Sequence, residues 1–193
     1  MTTTINLDDP RVKRTRQLLQ RAFLSLMMEG RFRDITVQEI ADRATVNRAT
    51  FYAHFDDKFD LLDSAIRERF KQDLAARLGA ESTWSRESLR VLIAGVFDLM
   101  TKTTHHCAPA DRDFLPYLER AIQEETYAIL VGWMRQPAFP GAPAGVTLET
   151  LALLWSWAIF GAATQRSRGE WEAPLDKMAR QVTLVLLRTI GAS

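Results

Sequence analysis

An all-α fold is predicted for this chain of 193 residues on three observations. Apolar residues recur at three- to four-residue spacing through almost every segment. Helix punctuation is dense: Thr36 and Glu39 form a T-x-x-E capping box, Asn47 and Asp57 stand before apolar-periodic runs, and Gly30 and Gly79 stand after them. Alternating β-branched runs that would compete as strands are few.

Taken in order, the polar opening from Met1 to Pro10 lacks periodicity and is expected to be a flexible arm. A first helix is predicted from about Arg11 to Met28, with Leu18, Leu19, Ala22, Phe23 and Leu26 as its buried stripe. Val37, Ile40, Ala41 and Ala44 then mark the buried face of a short helix. After Ala44-Thr45-Val46, Asn47 caps another, whose Val46, Phe51 and Phe55 point inward. A long helix is predicted from Lys58 to Leu78, followed by helices near 85–104, 112–135, 148–168 and 174–190. Pro116 is placed either in the first turn of its helix or between a short helix and a long one. Gln136 to Gly145, QPAFPGAPAG, is too rich in Pro and Gly for regular structure and reads as a linker.

The segment TVQEIADRATVNRATFYAHF, Thr36 to Phe55, carries the chemistry. Two short helices meet at a tight turn, and the second turns Arg48, Ala49, Tyr52 and Ala53 away from Phe51 and Phe55. Small alanines allow close approach to base edges; Arg reads guanine, while Thr, Asn and Tyr bond bases or phosphates. On this reading Arg48 reads a base, Asn47, Thr50 and Tyr52 touch base edges or phosphates, and Thr36, His54 and Lys58 anchor the backbone. Lys58 sits in a first helical turn, where the dipole disfavours a cation, so a nearby phosphate is the favoured explanation. Arg11, Lys13, Arg14 and Arg16 cluster at the start of the first helix, fitting either a backbone or minor-groove contact or ordinary solvated charge. A plain α-hairpin within a helical bundle is the alternative for the whole segment.

The run ITVQEIADRATVNRATFYAHFDDKFDLL resembles the helix-turn-helix of the tetracycline-repressor (TetR) family of bacterial transcription regulators. The preceding LLQRAFLSLMMEGRFRDIT is similar to that family's first helix and its lead into the motif. The likeness covers about residues 11 to 70. One departure is Thr45, where the family often has Gly; a β-branched residue is strained at positive φ, so a turn with negative φ is expected.

Net charge is only +1 but uneven. Residues 11–58 carry ten Lys/Arg against six Asp/Glu, an excess of +4 that leaves −3 elsewhere. A basic N-terminal unit on an acidic body suits phosphate binding. The single Cys107 precludes an intramolecular disulfide and fits a reducing cytosol. No secretory leader is visible, and the most apolar run, Leu151 to Ala163, is too short to span a bilayer. A cytoplasmic protein without membrane contact is expected. No phosphate-cradling Gly loop, H-E-x-x-H or G-x-S-x-G occurs, so neither an enzyme nor a cofactor is indicated. His105, His106 and Cys107 are adjacent in a loop, which is poor geometry for one metal ion, and no metal is assigned.

The last two predicted helices are unusually apolar, which demands burial in a deep core or in a self-complementary interface. The family resemblance favours the interface, with Leu151, Trp155, Ala158, Ala162, Met178, Val182 and Val185 as candidates. It also implies a pocket for a small apolar or aromatic effector that releases DNA. Phe97, Met100, Thr101, Phe114, Tyr117, Leu118, Trp133 and Trp155 are the candidate lining, although such residues equally describe a filled core. The expected organisation is a three-helix DNA-binding head with its arm over 1–57, then an effector-binding and dimerisation body over 58–193, with about nine helices. The expected function is that of a homodimeric repressor occluding a near-palindromic double-stranded operator. Alternatives are a regulator that activates or lacks an effector, and a helical ligand-binding or interaction module that does not touch DNA.

Overall fold

The computed structural model describes residues 9–30, 32–79, 83–106 and 114–191. The expected N-terminal arm falls almost wholly outside these, as do Cys107 and the side chains of His105 and His106. Eight α-helices run through the described residues, with no strand: α1 (Pro10–Glu29), α2 (Val37–Arg43), α3 (Arg48–His54), α4 (Lys58–Leu78), α5 (Arg86–His106), α6 (Leu115–Met134), α7 (Leu148–Ser167) and α8 (Leu175–Arg188). About nine were expected; each predicted helical stretch corresponds to one of these eight. Pro116 sits in the first turn of α6, where its missing N–H costs nothing. No helix among the described residues is long and apolar enough to cross a membrane.

The chain divides into two compact units, Met1–Glu68 with Pro109–Leu118, and Arg69–Ala108 with Glu119–Ser193. The division falls inside α4, not at its start, so α4 begins in the first unit and ends in the second.

In the first unit α1, α2 and α3 enclose Leu19, Phe23, Ile40, Ala41, Phe51 and Phe55, all buried. Asp9 caps α1 by accepting from the Arg11 N–H at 2.7 Å, and Gly30 closes the helix. Of the predicted α1 stripe, Leu19, Ala22 and Phe23 are buried, but Leu18 is turned outward and Leu26 is half-buried. Phe32, in the loop after α1, is the hub of an aromatic cluster, with ring centroids 6.1 Å from Phe23, 5.2 Å from Phe59 and 6.3 Å from Phe114. Tyr117 lies 4.9 Å from Phe59.

The second unit is built on α5, α7 and α8. Leu89, Leu92, Ile93, Val96 and Phe97 of α5 meet Leu151, Ala152, Trp155 and Ile159 of α7 and Met178, Ala179, Leu186 and Leu187 of α8. Each of the large aliphatic and Phe side chains among them contributes about 1.5–3 kcal/mol on burial. The linker between α6 and α7 is irregular, yet it is anchored. Phe139 is buried, 4.8 Å from Trp84 and 6.4 Å from Trp155, and Gln136 Oε1 accepts the Trp84 N–H at 2.6 Å.

Candidate nucleic-acid interface

The motif begins with the capping box expected from sequence. The Glu39 N–H donates to Thr36 Oγ1 at 3.2 Å, and the Thr36 N–H donates to Glu39 Oε2 at 2.8 Å. That backbone hydrogen bond, then the Thr36 hydroxyl, hold the Glu39 carboxyl below its ordinary range.

The turn corrects one expectation. Thr45 has φ of +58°, the left-handed region, where a negative value was expected. The cause lies in how α2 ends: the Val46 N–H donates to the Ala41 carbonyl at 2.9 Å and the Thr45 N–H to the Asp42 carbonyl at 3.0 Å. This double closure is a Schellman cap, which requires a left-handed residue just past the helix. Thr45 accepts the strain that Gly would avoid.

Asn47 then caps α3, its Oδ1 accepting from the Thr50 N–H at 2.6 Å and the Thr50 hydroxyl at 2.9 Å. Phe51 and Phe55 are buried, while Arg48, Ala49, Tyr52 and Ala53 face solvent. Arg48 Nη2 donates to Tyr52 Oη at 3.1 Å, and its guanidinium lies 5.4 Å from the Tyr52 ring centre. The two side chains thus form one exposed, donor-bearing surface flanked by alanines.

Three residues singled out from sequence are used internally. Lys58 Nζ donates to the carbonyls of Phe32, Arg33 and Ile35 at 3.0, 2.8 and 2.9 Å and lies 4.8 Å from the Phe32 ring centre. An ammonium has three protons, and all three are committed to the α1–α2 loop, so the phosphate anchor assigned to Lys58 is replaced by a structural clamp. Burial lowers its pKa, opposed by Asp34 and Glu39. Arg16, grouped with the exposed Arg11, Lys13 and Arg14, instead turns inward. It donates to the His54 carbonyl at 2.6 Å and to Ser64 Oγ at 3.0 Å, over the Phe55 ring at 4.0 Å. A signal was present: Arg16 shares the helical face of the buried Leu19 and Phe23. His54 is half-buried with Nδ1 unpartnered, and burial, then the Arg16 charge, push its pKa below the usual value. Thr36, Asn47 and Arg14 remain exposed, and Thr50 is half-buried.

The residues assigned to a pocket are divided between the two units. Phe114, Tyr117 and Leu118 belong to the first unit, two of them on the Phe32–Phe59 cluster. Phe97, Met100, Trp133 and Trp155 are buried in the second unit. Trp155 is held 6.1 Å from Trp84, its Nε1 donating to Thr189 Oγ1 at 3.1 Å. These side chains fill core. Thr101 keeps a buried hydroxyl without a partner, as does Thr164 on α7.

The residues assigned to an interface divide in two. Leu151, Trp155 and Met178 are buried within the chain. Ala158 and Val185 are exposed, and Ala162 and Val182 are half-buried. Reasoning from sequence missed Leu153, Leu154 and Trp157 of α7 and Leu184 of α8, which are 45, 60, 54 and 50 % exposed. Among the described residues, no group of three or more His, Cys, Asp or Glu is gathered to hold a metal.

Residues 21–65 match the family model for bacterial regulatory proteins of the tetR family. The HTH-type transcriptional regulator YxbF of Bacillus subtilis is 42% identical over 60 residues, which is 31% of this chain and 16% of that protein. The match thus spans about a sixth of that relative's length. A TetR-family regulator from Streptomyces coelicolor superposes with a TM-score of 0.59 at 15% identity, covering 98% of this chain and 99% of that one. RolR, solved in complex with resorcinol, gives a TM-score of 0.55 at 16% identity, covering 95% and 90%. At such identities the superpositions speak for the fold alone, while residues 21–65 are similar to the N-terminal module of the tetR family of bacterial regulatory proteins.

Proposed function

We propose that this protein is a homodimeric transcriptional repressor that occludes a near-palindromic operator and is released by a small apolar or aromatic effector. The observation that carries the reading is the outward face of α3. A helix that buries Phe51 and Phe55 while presenting Arg48, Ala49, Tyr52 and Ala53 has no use for that face within its own chain. Arg48 reads a base; Tyr52, Asn47 and Thr50 touch bases or phosphates; Thr36 and Arg14 meet the backbone.

A single helix-turn-helix binds weakly, and two-fold pairing supplies a second. Support for pairing comes from the apolar surface of α7 and α8, where Leu153, Leu154, Trp157, Leu184 and Val185 stand in water. Contiguous apolar surface of this kind marks an association face. The effector reading rests on RolR's ligand and on the two buried hydroxyls of Thr101 and Thr164, which a bound polar group would satisfy. The work is cytoplasmic, done by binding and not by catalysis.

Selection from a random duplex pool is the test. It should return a near-palindrome, on which Arg48→Ala loses about 1–3 kcal/mol while binding to random DNA is unchanged at the same salt. Equal losses on both duplexes would reject base reading by Arg48.

A further inference from the structure

A groove of about 600 Å³ runs along the exposed α7–α8 face, bordered by Ala158, the residue after Trp157. Ala158 forms one wall, Val182 and Val185 another, with Trp171 and Arg188 also bordering it. Most of its lining is apolar and lies on the surface, so it follows the outside of the unit and does not enter the core. Trp157 is 54 % exposed, and the Phe160 ring props it edge-on at 5.8 Å. A large protruding aromatic and an apolar depression therefore share one face.

A two-fold axis through such a face brings each knob against the other copy's depression, because residue i meets j and j meets i. The groove suits an indole. Val182 and Val185 give apolar wall, Trp171 gives a ring to pack against, and Arg188 gives a cation for an aromatic face. Ala158 supplies the space, since any larger side chain there would narrow the groove. We propose that Trp157 of each chain inserts into the partner's groove over Ala158, and that this reciprocal fit decides which chains pair. The inference rests on the dimeric reading above and adds its specificity determinant.

The test uses two full-length variants, Trp157→Ala and Ala158→Phe, both at exposed positions, with folding verified by circular dichroism. Wild type should be dimeric by sedimentation, and Trp157→Ala should raise the dimer Kd roughly thirty-fold or more, as loss of a central interface tryptophan does. Ala158→Phe blocks the groove and should weaken its own homodimer similarly. Mixed, the two variants should prefer each other: one offers Trp157 to an open groove, and the other leaves room opposite the filled one. Differently tagged chains that assort at random would overturn the knob-and-groove pairing while leaving dimerisation intact. If Ala158→Phe fails to fold, Ala158→Leu takes its place. A wild type that stays monomeric through the micromolar range sinks the dimeric reading itself.

Discussion

Lys58 illustrates how a charge placed against a helix dipole signals something without saying what. A cation in the first turn of α4 is disfavoured, and sequence reasoning supplied a phosphate as compensation. The structure supplies three backbone carbonyls instead. Lys58→Met keeps the stem and strips away the donors. The half-buried carbonyl bonds at Phe32 and Ile35 then lose their partner at about 1–3 kcal/mol, while the exposed Arg33 carbonyl can turn to water. The thermal midpoint should fall. At a temperature where both proteins are folded, the slope of DNA affinity against salt should match wild type. A slope reduced by about one would restore the phosphate contact. Thr45 makes the opposite case, a residue that costs stability where it stands. Its left-handed φ costs a β-branched side chain about 1–2 kcal/mol, partly offset in Thr45→Gly by the larger chain entropy of glycine. That variant should melt higher, by about 0.5–1 kcal/mol at the midpoint; an unchanged or lower midpoint would show that the side chain contributes more than its strain costs.

Among the elements, legibility follows how many faces a helix has to choose between. α4 runs from Lys58 to Leu78 as the pattern predicts, because Asp57 and Gly79 punctuate it on both sides. The α2 and α3 faces are equally readable: each is short, with one apolar side and one polar side. α7 is different. Large apolar side chains occupy all its faces, so periodicity cannot phase it, and Leu151 and Trp155 were assigned outward when Leu154 and Trp157 occupy that side. A pocket is hard to read from sequence for a related reason. Aromatic residues at helical spacing carry no mark that separates a cavity wall from filled core, and Phe114 and Tyr117 serve the first unit's cluster. The capping box yields an element-scale prediction with a defined pH window. The folded pKa of Glu39 is depressed, so its contribution to α2 is present above the ordinary value of 4.5 and is lost as pH falls below that. The wild-type midpoint should drop over that acid range relative to Glu39→Gln, which has no carboxylate to protonate. Parallel acid profiles for the two would remove the cap from the account.

For the whole molecule, charge and pairing act together. The basic excess lies within residues 11–58 and the acidic balance elsewhere, so a phosphate surface attracts the head and repels the rest of the chain. On the dimeric proposal, affinity for an operator depends on engaging two heads at once. Once one recognition helix is seated, the second meets its half-site at high effective concentration, a gain of roughly 10²–10⁴ over a single site. That gain exists only if the half-sites lie on the same face of the duplex, about 34 Å apart or a multiple of it. Five base pairs inserted between the half-sites turn one of them to the opposite face. Affinity should then fall to that of a lone half-site. Trp157→Ala on the uninterrupted operator should approach the same floor below its raised dimer Kd and recover as protein concentration climbs. Titrations that cannot distinguish the two spacings would mean each head binds alone, and the α7–α8 surface would need another occupant.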